Sequence, residues 1–393
     1  MWKVIPPHIW AFACVTLWGL AASLQAVTQN FAGMMACRFF LAAAESMYGP
    51  GIPFLLSFFY MRNELGLRCG LFLSAAPFAT CFAGALAYGI TSGHSKLQNW
   101  RLLFLVEGLP SLCMAVVAFF YLPDNPEKCR YLTREEKDFA KSRAIRQAGL
   151  EPERRLGMVK VKDVLAALVD PKNYLTALMY FSCNVSFSSL PVFLPTIIKG
   201  MGYSSINAQG LTAPPYFLAG IVSILSTYLA DRYQQRGIVI IITSLIGAIG
   251  YVLLASTEVV GVRYLGIFLA AAGMFPAIFN IAPWVLNNQG TDSKRGTGIV
   301  ILNLIGQTGP LVGTRLYPAH EGPRYVKGMS ICAAFMFFNA LLACALRTYL
   351  VWLNKKAELA EAELRARIED AISHEKSQQV AVENEGYGFR NFL

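Results

Sequence analysis

Residues 33–60 read GMMACRFFLAAAESMYGPGIPFLLSFFY, an apolar run carrying one cation, Arg38, and one carboxylate, Glu45. It is long enough to cross a bilayer. Charges inside a spanning segment are expensive and persist mainly where they face a bundle interior or a water-filled path. Seven residues is nearly two helical turns, so both side chains lie on one face, roughly 10 Å apart along the axis. Helical side chains lean toward the N-terminus, so Glu45 leans toward Arg38 while Arg38 leans away. The pair reads as two electrostatically coupled stations rather than one locked salt bridge. A cation for an anionic ligand, beside a carboxyl able to take a proton, is the chemistry of proton-coupled anion movement. A structural ion pair that sets helix register is the competing reading. Gly49-Pro50-Gly51-Ile52-Pro53 is expected to kink or partly unwind this span.

Outward from this segment, apolar runs of spanning length occupy 9–28, 70–91, 102–122, 173–198, 210–230, 238–257, 263–286, 297–316 and 329–353. With 33–60 they make ten expected spans, four before and six after a long polar loop. Backbone polarity forces such spans to be helical, so the fold class is an all-α membrane protein. Pro214-Pro215 is expected to bend the start of the sixth span. Composition agrees. Of 393 residues, 55% are hydrophobic and 15% charged, against about 25% charged in soluble domains; mean hydropathy is +0.44.

The net charge of +10 does not point to nucleic acid, because the basic residues alternate between loops. With Lys3 placed in the cytoplasm, 25 Lys and Arg fall in segments on that side and six on the other: Lys96, Arg101, Lys199, Arg263, Arg324 and Lys327. The asymmetry predicts both termini inside, by the positive-inside rule. Nine cysteines show no CxxC or Cys/His spacing, and the four histidines fall in loops or tails. They predict no disulfide framework, metal site or cofactor. Asn184-Val185-Ser186 lies within a span, where glycosylation is not expected, and no cleavable signal peptide is expected ahead of the first run.

The expected organisation is a four-helix membrane unit at 1–122, a cytoplasmic linker at 123–172, a six-helix unit at 173–354 and a cytoplasmic tail at 355–393. In the linker, Thr133 and Glu136 fit a capping box that opens a polar helix through REEKDFAKSRAIRQ (134–147). VKVKDVLAALVD (159–170) reads as a second helix lying along the membrane surface. The tail begins as a charged helix and is expected to end disordered.

LADRYQQRG (229–237) closes the sixth span and resembles the loop signature of the major facilitator superfamily. Asp231, at a helix end, suits backbone N–H donors from another helix. Arg232 and Arg236 suit its carboxylate or lipid phosphates. The motif points to gating or structure. IWAFACVTLWGL (9–20) resembles the superfamily's third helix, RFFLAAAESMYGP (38–50) its fourth and NWRLLFLVEGLP (99–110) the entry to its sixth. FLPTIIKGMGYSSINAQGLTAPPY (193–216) and YPAHEGPRYVKG (317–328) are similar to the allantoate-permease branch of fungal anion:cation symporters. That branch includes carriers of allantoate, nicotinate and pantothenate.

The resemblance implies a major-facilitator-like helical bundle. It assigns Arg38 to substrate binding and Glu45 to proton coupling. Ala42 stands where the family usually has glycine for close helix packing. The family has twelve spans and this chain begins at the third, so the resemblance places two helices, one copy of the loop signature and an Asp-Arg stretch outside it.

Substrate sites in such carriers lie near the midplane between repeats, so polar residues inside later spans are candidates. Asn280 and Trp284 share a face of the eighth span, with Asn287 a turn further. Asn303 and Gln307 repeat that spacing in the ninth, and Tyr180 and Asn184 in the fifth. Their side chains offer donors and acceptors suited to carboxylates and ring nitrogens. Interhelical hydrogen bonding that holds the bundle together is the competing reading. Glu107 reads as an anchor near the outer interface, and Arg315 and Arg347 as snorkelling residues.

These readings predict a monomeric secondary transporter in the plasma membrane, moving a small organic anion with a proton by alternating access. The alternative is a shortened chain that does not transport and acts as a sensor or scaffold. No nucleophile–base pair, ligand set or nucleotide loop suggests an enzyme.

Overall fold

Without water to satisfy them, backbone amides inside a bilayer bond along their own helix. The computed structural model describes residues 2, 5–92, 97–148, 161–322 and 324–371, and helices dominate them. In chain order these are α1 Pro7–Leu24, α2 Phe31–Tyr48, α3 Gly51–Phe59, α4 Arg62–Ser92 and α5 Asn99–Tyr121. Two linker helices follow, α6 Arg134–Ala148 and α7 Val161–Val169. The second group is α8 Pro171–Lys199, α9 Ser205–Gly210, α10 Ala213–Tyr233, α11 Arg236–Ser256, α12 Val260–Asn287, α13 Asp292–Gly306, α14 Gly309–Gly313 and α15 Val326–Ala371. Residues 149–160 of the linker and 372–393 of the tail, where disorder was expected, lie outside the described residues.

Among the described residues, nine helical segments are long and apolar enough to cross a membrane. The tenth expected span, 297–316, is divided into α13 and α14. Pro310 has no N–H to donate to the Gly306 carbonyl, and glycines at 306 and 309 weaken the ladder further. Hydrogen bonding there shortens to Thr308 N–H on Ile305 O at 3.1 Å and Leu311 N–H on Thr308 O at 3.2 Å. The break in 33–60 falls at Gly49-Pro50, between α2 and α3. Both residues keep right-handed helical angles, so the span bends without unwinding. Trp2 Nε1–H donates to the Met47 carbonyl at 2.9 Å beside that bend. The expected break at Pro214-Pro215 is present: neither proline can donate to the carbonyl four residues back, Gly210 or Leu211, and the helix is interrupted at Leu211-Thr212 between α9 and α10.

In the second group, α12 is central; 78% of its apolar window is buried, against 11% for α5 in the first group. Close crossings make this possible. The Gly250 Cα faces the backbone of Gly266 and Ala270, and Gly273 faces Gly247, so α11 and α12 touch main chain to main chain. In the first group, α1 packs between α2 and α5. Helix α4 instead lies along α10, with Gly66 against Arg236 and Asp231, Gly70 against Thr227 and Gly84 against Thr212. The Phe78 and Phe217 rings meet edge to face at 5.8 Å on the same seam.

The linker helices are tied to both groups. The Thr133–Glu136 capping box forms: Thr133 N–H donates to Glu136 Oε2 at 2.8 Å, and Glu136 N–H to Thr133 Oγ1 at 3.3 Å. Arg143 Nη2 lies 2.6 Å from Glu64 Oε1 at the start of α4. From α7, Asp163 Oδ2 accepts the Thr291 hydroxyl at 3.0 Å, and Thr291 is the N-cap of α13.

Candidate functional site

Helix α2 starts where the Asn30 side chain accepts the Gly33 N–H at 2.7 Å. Its face carrying Arg38 and Glu45 is uncovered by the described residues; both side chains are exposed. Among the described residues no salt bridge joins the two. Arg38 turns toward α5, with its guanidinium carbon 5.5 Å from the centre of the Phe104 ring, a cation–π geometry. Glu107 lies one turn beyond Phe104 on α5 and is exposed as well. The absence of a salt bridge agrees with two separate stations rather than one locked pair, and Arg38 in addition faces α5. The lean of helical side chains that keeps Arg38 from Glu45 carries it across to the neighbouring helix.

The amide residues divide by burial. Asn184 is buried, and its Nδ2–H donates to the Gly306 carbonyl at 3.2 Å. That carbonyl is the one left without its i+4 donor by Pro310, so a side chain from α8 replaces a missing backbone bond. Tyr180 lies against Gly306, and Gly309 and Gly313 press on the α8 main chain at Phe181 and Val185. Small residues spaced in this way let two helices approach within backbone contact.

Asn280 is fully buried between three helices. It accepts from Arg236 Nη1 at 3.4 Å, and it donates to Ser226 Oγ at 3.3 Å and to the Pro276 carbonyl at 2.9 Å. Trp284 is fully buried with its ring edge on Gly237 of α11. Asn287 is buried as well. Asn303 is half-buried and donates to the Ile299 carbonyl of its own helix at 2.8 Å, while Gln307 is exposed at the α13–α14 break. The accessible polar groups are thus Arg38, Glu45 and Glu107 in the first helix group and Asn303 and Gln307 in the second. Arg315 is exposed, and Arg347 Nη2 donates to Gln235 Oε1 at 3.3 Å.

Asp231 stands where the two groups meet. Its carboxylate accepts the Leu67 N–H near the start of α4 and pairs with Arg236, whose side chain is 1% exposed. Arg232 remains exposed, with Nη1 3.3 Å from the Tyr228 hydroxyl. The α4 partners of Asp231 escaped the sequence reading. Their signal was Gly66-Leu67-Arg68-Cys69-Gly70, a small-xxx-small pair in which Gly66 leaves room for the carboxylate and guanidinium.

All nine cysteines are free thiols. Among the described residues no group of three His, Cys, Asp or Glu side chains is placed to hold a metal ion.

Comparison with known proteins adds a second line of support. The family profile described as Major Facilitator Superfamily matches residues 4–314. The MFS transporter prlL of Fungal sp. (strain NRRL 50135) is 32% identical over 363 residues, covering 90% of this chain and 72% of that one. The high-affinity nicotinic acid transporter of Saccharomyces cerevisiae is 31% identical over 340 residues, covering 86% of this chain and 63% of that one. Among solved structures, the proton:xylose symporter XylE bound to 6-bromo-6-deoxy-D-glucose superposes with a TM-score of 0.64 at 15% identity. That match covers 85% of this chain and 79% of the other, and it bears on the fold alone.

Proposed function

This chain belongs to the Major Facilitator Superfamily, a family of multi-pass membrane transporters rather than enzymes, and we propose that it carries a small organic anion together with a proton. The observation that carries this reading is Arg38: an exposed cation in a spanning helix, stacked on an aromatic ring, with no salt bridge among the described residues. A guanidinium in that state offers its donors to an incoming carboxylate, which it binds in bidentate fashion. A relative of similar sequence is a nicotinic acid transporter, which supports a monocarboxylate as cargo.

In this reading α1–α5 and α8–α15 rock against each other about a site that opens alternately to the two membrane faces. Arg38 holds the anion, Glu45 exchanges the proton, and Asn303 and Gln307 supply donors from the facing group. Asn184, Asn280 and Trp284 hold the helices that present those donors. Asp231, Arg236 and the exposed Arg232 form the gate between the groups. The carrier works as a monomer in the plasma membrane with both termini in the cytoplasm.

The test is uptake of radiolabelled nicotinate, pantothenate and allantoate by cells expressing the full chain, at pH 5 and pH 7. At least one label is expected to accumulate faster at the lower pH. Arg38→Ala abolishes that uptake, and Glu45→Gln removes its pH dependence. Absence of uptake for all three, or normal uptake by Arg38→Ala, overturns the reading.

A further inference from the structure

We infer that Glu107 on α5 is the counter-ion of Arg38, and that a bound substrate anion displaces it. The inference rests on reading Arg38 as the anion site. Both helices start at the same end of α1. Helix α5 runs antiparallel to α1, with Gly108 on Ser23 and Gly19 on Leu112, and α2 begins where α1 ends. Arg38 is the eighth residue of α2 and Glu107 the ninth of α5, so they sit about 10 Å and about 12 Å from those starts. The contact of Arg38 with Phe104, one turn before Glu107, sets the two side chains near one level. Phe104 supplies the platform: Arg38 stacks on its ring at 5.5 Å, and Glu107 follows three residues later on the same helix face.

Among the described residues, no competing charge from the elements around α5 answers to Glu107. On α1, His8 is paired with Asp124 at 2.7 Å at the opposite end, and Cys14 is buried in the helix's first half. The turn Gln25–Val27 has no titratable side chain. On α4, Cys81 packs against the core of the second group and Tyr88 lies on Gly210. Arg101, in the first turn of α5, turns its guanidinium to Trp100 at 5.1 Å.

The consequence is an exchange. While the site is empty, the Arg38 charge is balanced by the Glu107 carboxylate. A substrate carboxylate that takes Arg38 leaves the Glu107 carboxylate without its cation, and Glu107 then binds a proton from the open side. Glu107 protonation then tracks anion binding, while Glu45 remains the carboxyl that exchanges the coupled proton. Departure of the anion returns Arg38 to Glu107 and expels the proton.

Dicyclohexylcarbodiimide, which modifies protonated carboxyls in membranes, provides the test. The adducts at Glu107 and Glu45 are quantified by mass spectrometry in membranes containing the full chain at pH 7. Arg38→Ala is expected to raise modification of Glu107 about ten-fold or more and to leave Glu45 unchanged, while Arg38→Lys restores protection. Saturating nicotinate is expected to raise Glu107 modification in the wild type but not in Arg38→Ala. A rise at Glu45 alone, or equal modification of Glu107 with and without Arg38, overturns the pairing. If nicotinate has no effect and no carboxylate is taken up, the anion reading fails, while the Arg38→Ala comparison still decides the pairing.

Discussion

The bond from Asn184 to the Gly306 carbonyl allows a sharp test of how this bundle tolerates a broken span. Asn184→Ala removes a buried donor, 3.2 Å from its acceptor, and leaves that carbonyl without the bond Pro310 cannot supply. An unsatisfied buried polar group costs about 1–3 kcal/mol in soluble proteins. Interhelical bonds in membranes average nearer about 0.6 kcal/mol, with a maximum near 1.7, because the unfolded helices find other partners. The acceptor here sits in a seam where Gly309 and Gly313 press on α8, which limits substitutes. We therefore expect the bond to contribute about 1–1.5 kcal/mol. Pro310→Ala supplies an N–H at the position whose i−4 partner is Gly306. On that background the amide becomes redundant, so Asn184→Ala should cost about 1 kcal/mol less than in the wild type. The assay is reversible unfolding of the purified chain and its three variants in mixed micelles, read as a double-mutant cycle. The packing loss of the truncated side chain is common to both arms and cancels. If the two substitutions add to within about 0.3–0.5 kcal/mol, the reasoning is refuted.

Asp231→Ala removes the carboxylate paired with the Arg236 guanidinium, 1% exposed, and should lower stability by about 3–5 kcal/mol in the same assay; a loss below about 1 kcal/mol would contradict a buried pair. Gly66→Ala places a methyl on Arg236 and Asp231 and is expected to cost about 1–3 kcal/mol. Gly89→Ala on the same helix meets nothing and should be neutral or slightly stabilising; equal effects at the two sites would contradict the seam. Glu136 has its pKa lowered from 4.5, first by the Thr133 backbone N–H and then by the Thr133 hydroxyl. Its capping contribution is therefore fully present above the ordinary value and lost as pH falls through the lowered one. Carboxyl shifts followed by NMR should show Thr133→Ala moving Glu136 only part of the way back toward the ordinary value, because the backbone N–H remains, and an unchanged titration would contradict the hydroxyl's part in the cap.

The helical class was legible because bilayer thickness and backbone polarity admit few solutions for long apolar runs. Nine of the ten expected runs became spanning segments among the described residues, with ends shifted by a few residues. The tenth was misjudged by apolarity alone: 297–316 has the composition of a span, yet Gly306, Gly309 and Pro310 loosen its hydrogen-bond ladder. The candidate site was harder to read. Spacing along one helix identified Arg38 and Glu45 as a set, but a period of 3.6 residues says nothing about which neighbouring helix presents Phe104 and Glu107. Burial was also invisible. Asn184, Asn280, Asn303 and Gln307 are alike as amides, and only packing separates the two enclosed among helices from the two left partly or wholly accessible.

Sequence by itself determined that this chain lives in a membrane as helices, which superfamily it joins, and that Arg38 and Glu45 are costly enough to need a reason. These follow from local terms: transfer of side chains into hydrocarbon and closure of backbone hydrogen bonds within a segment. The tertiary structure alone decided that Arg38 answers to α5, that Asn184 mends the ladder broken at Pro310, and that Asp231 joins α4 to α10 and α11. Each is a contact between residues distant in sequence. Its energy depends on how closely two helices approach, and glycines such as Gly66 and Gly309 reveal that distance only once their partners are in place.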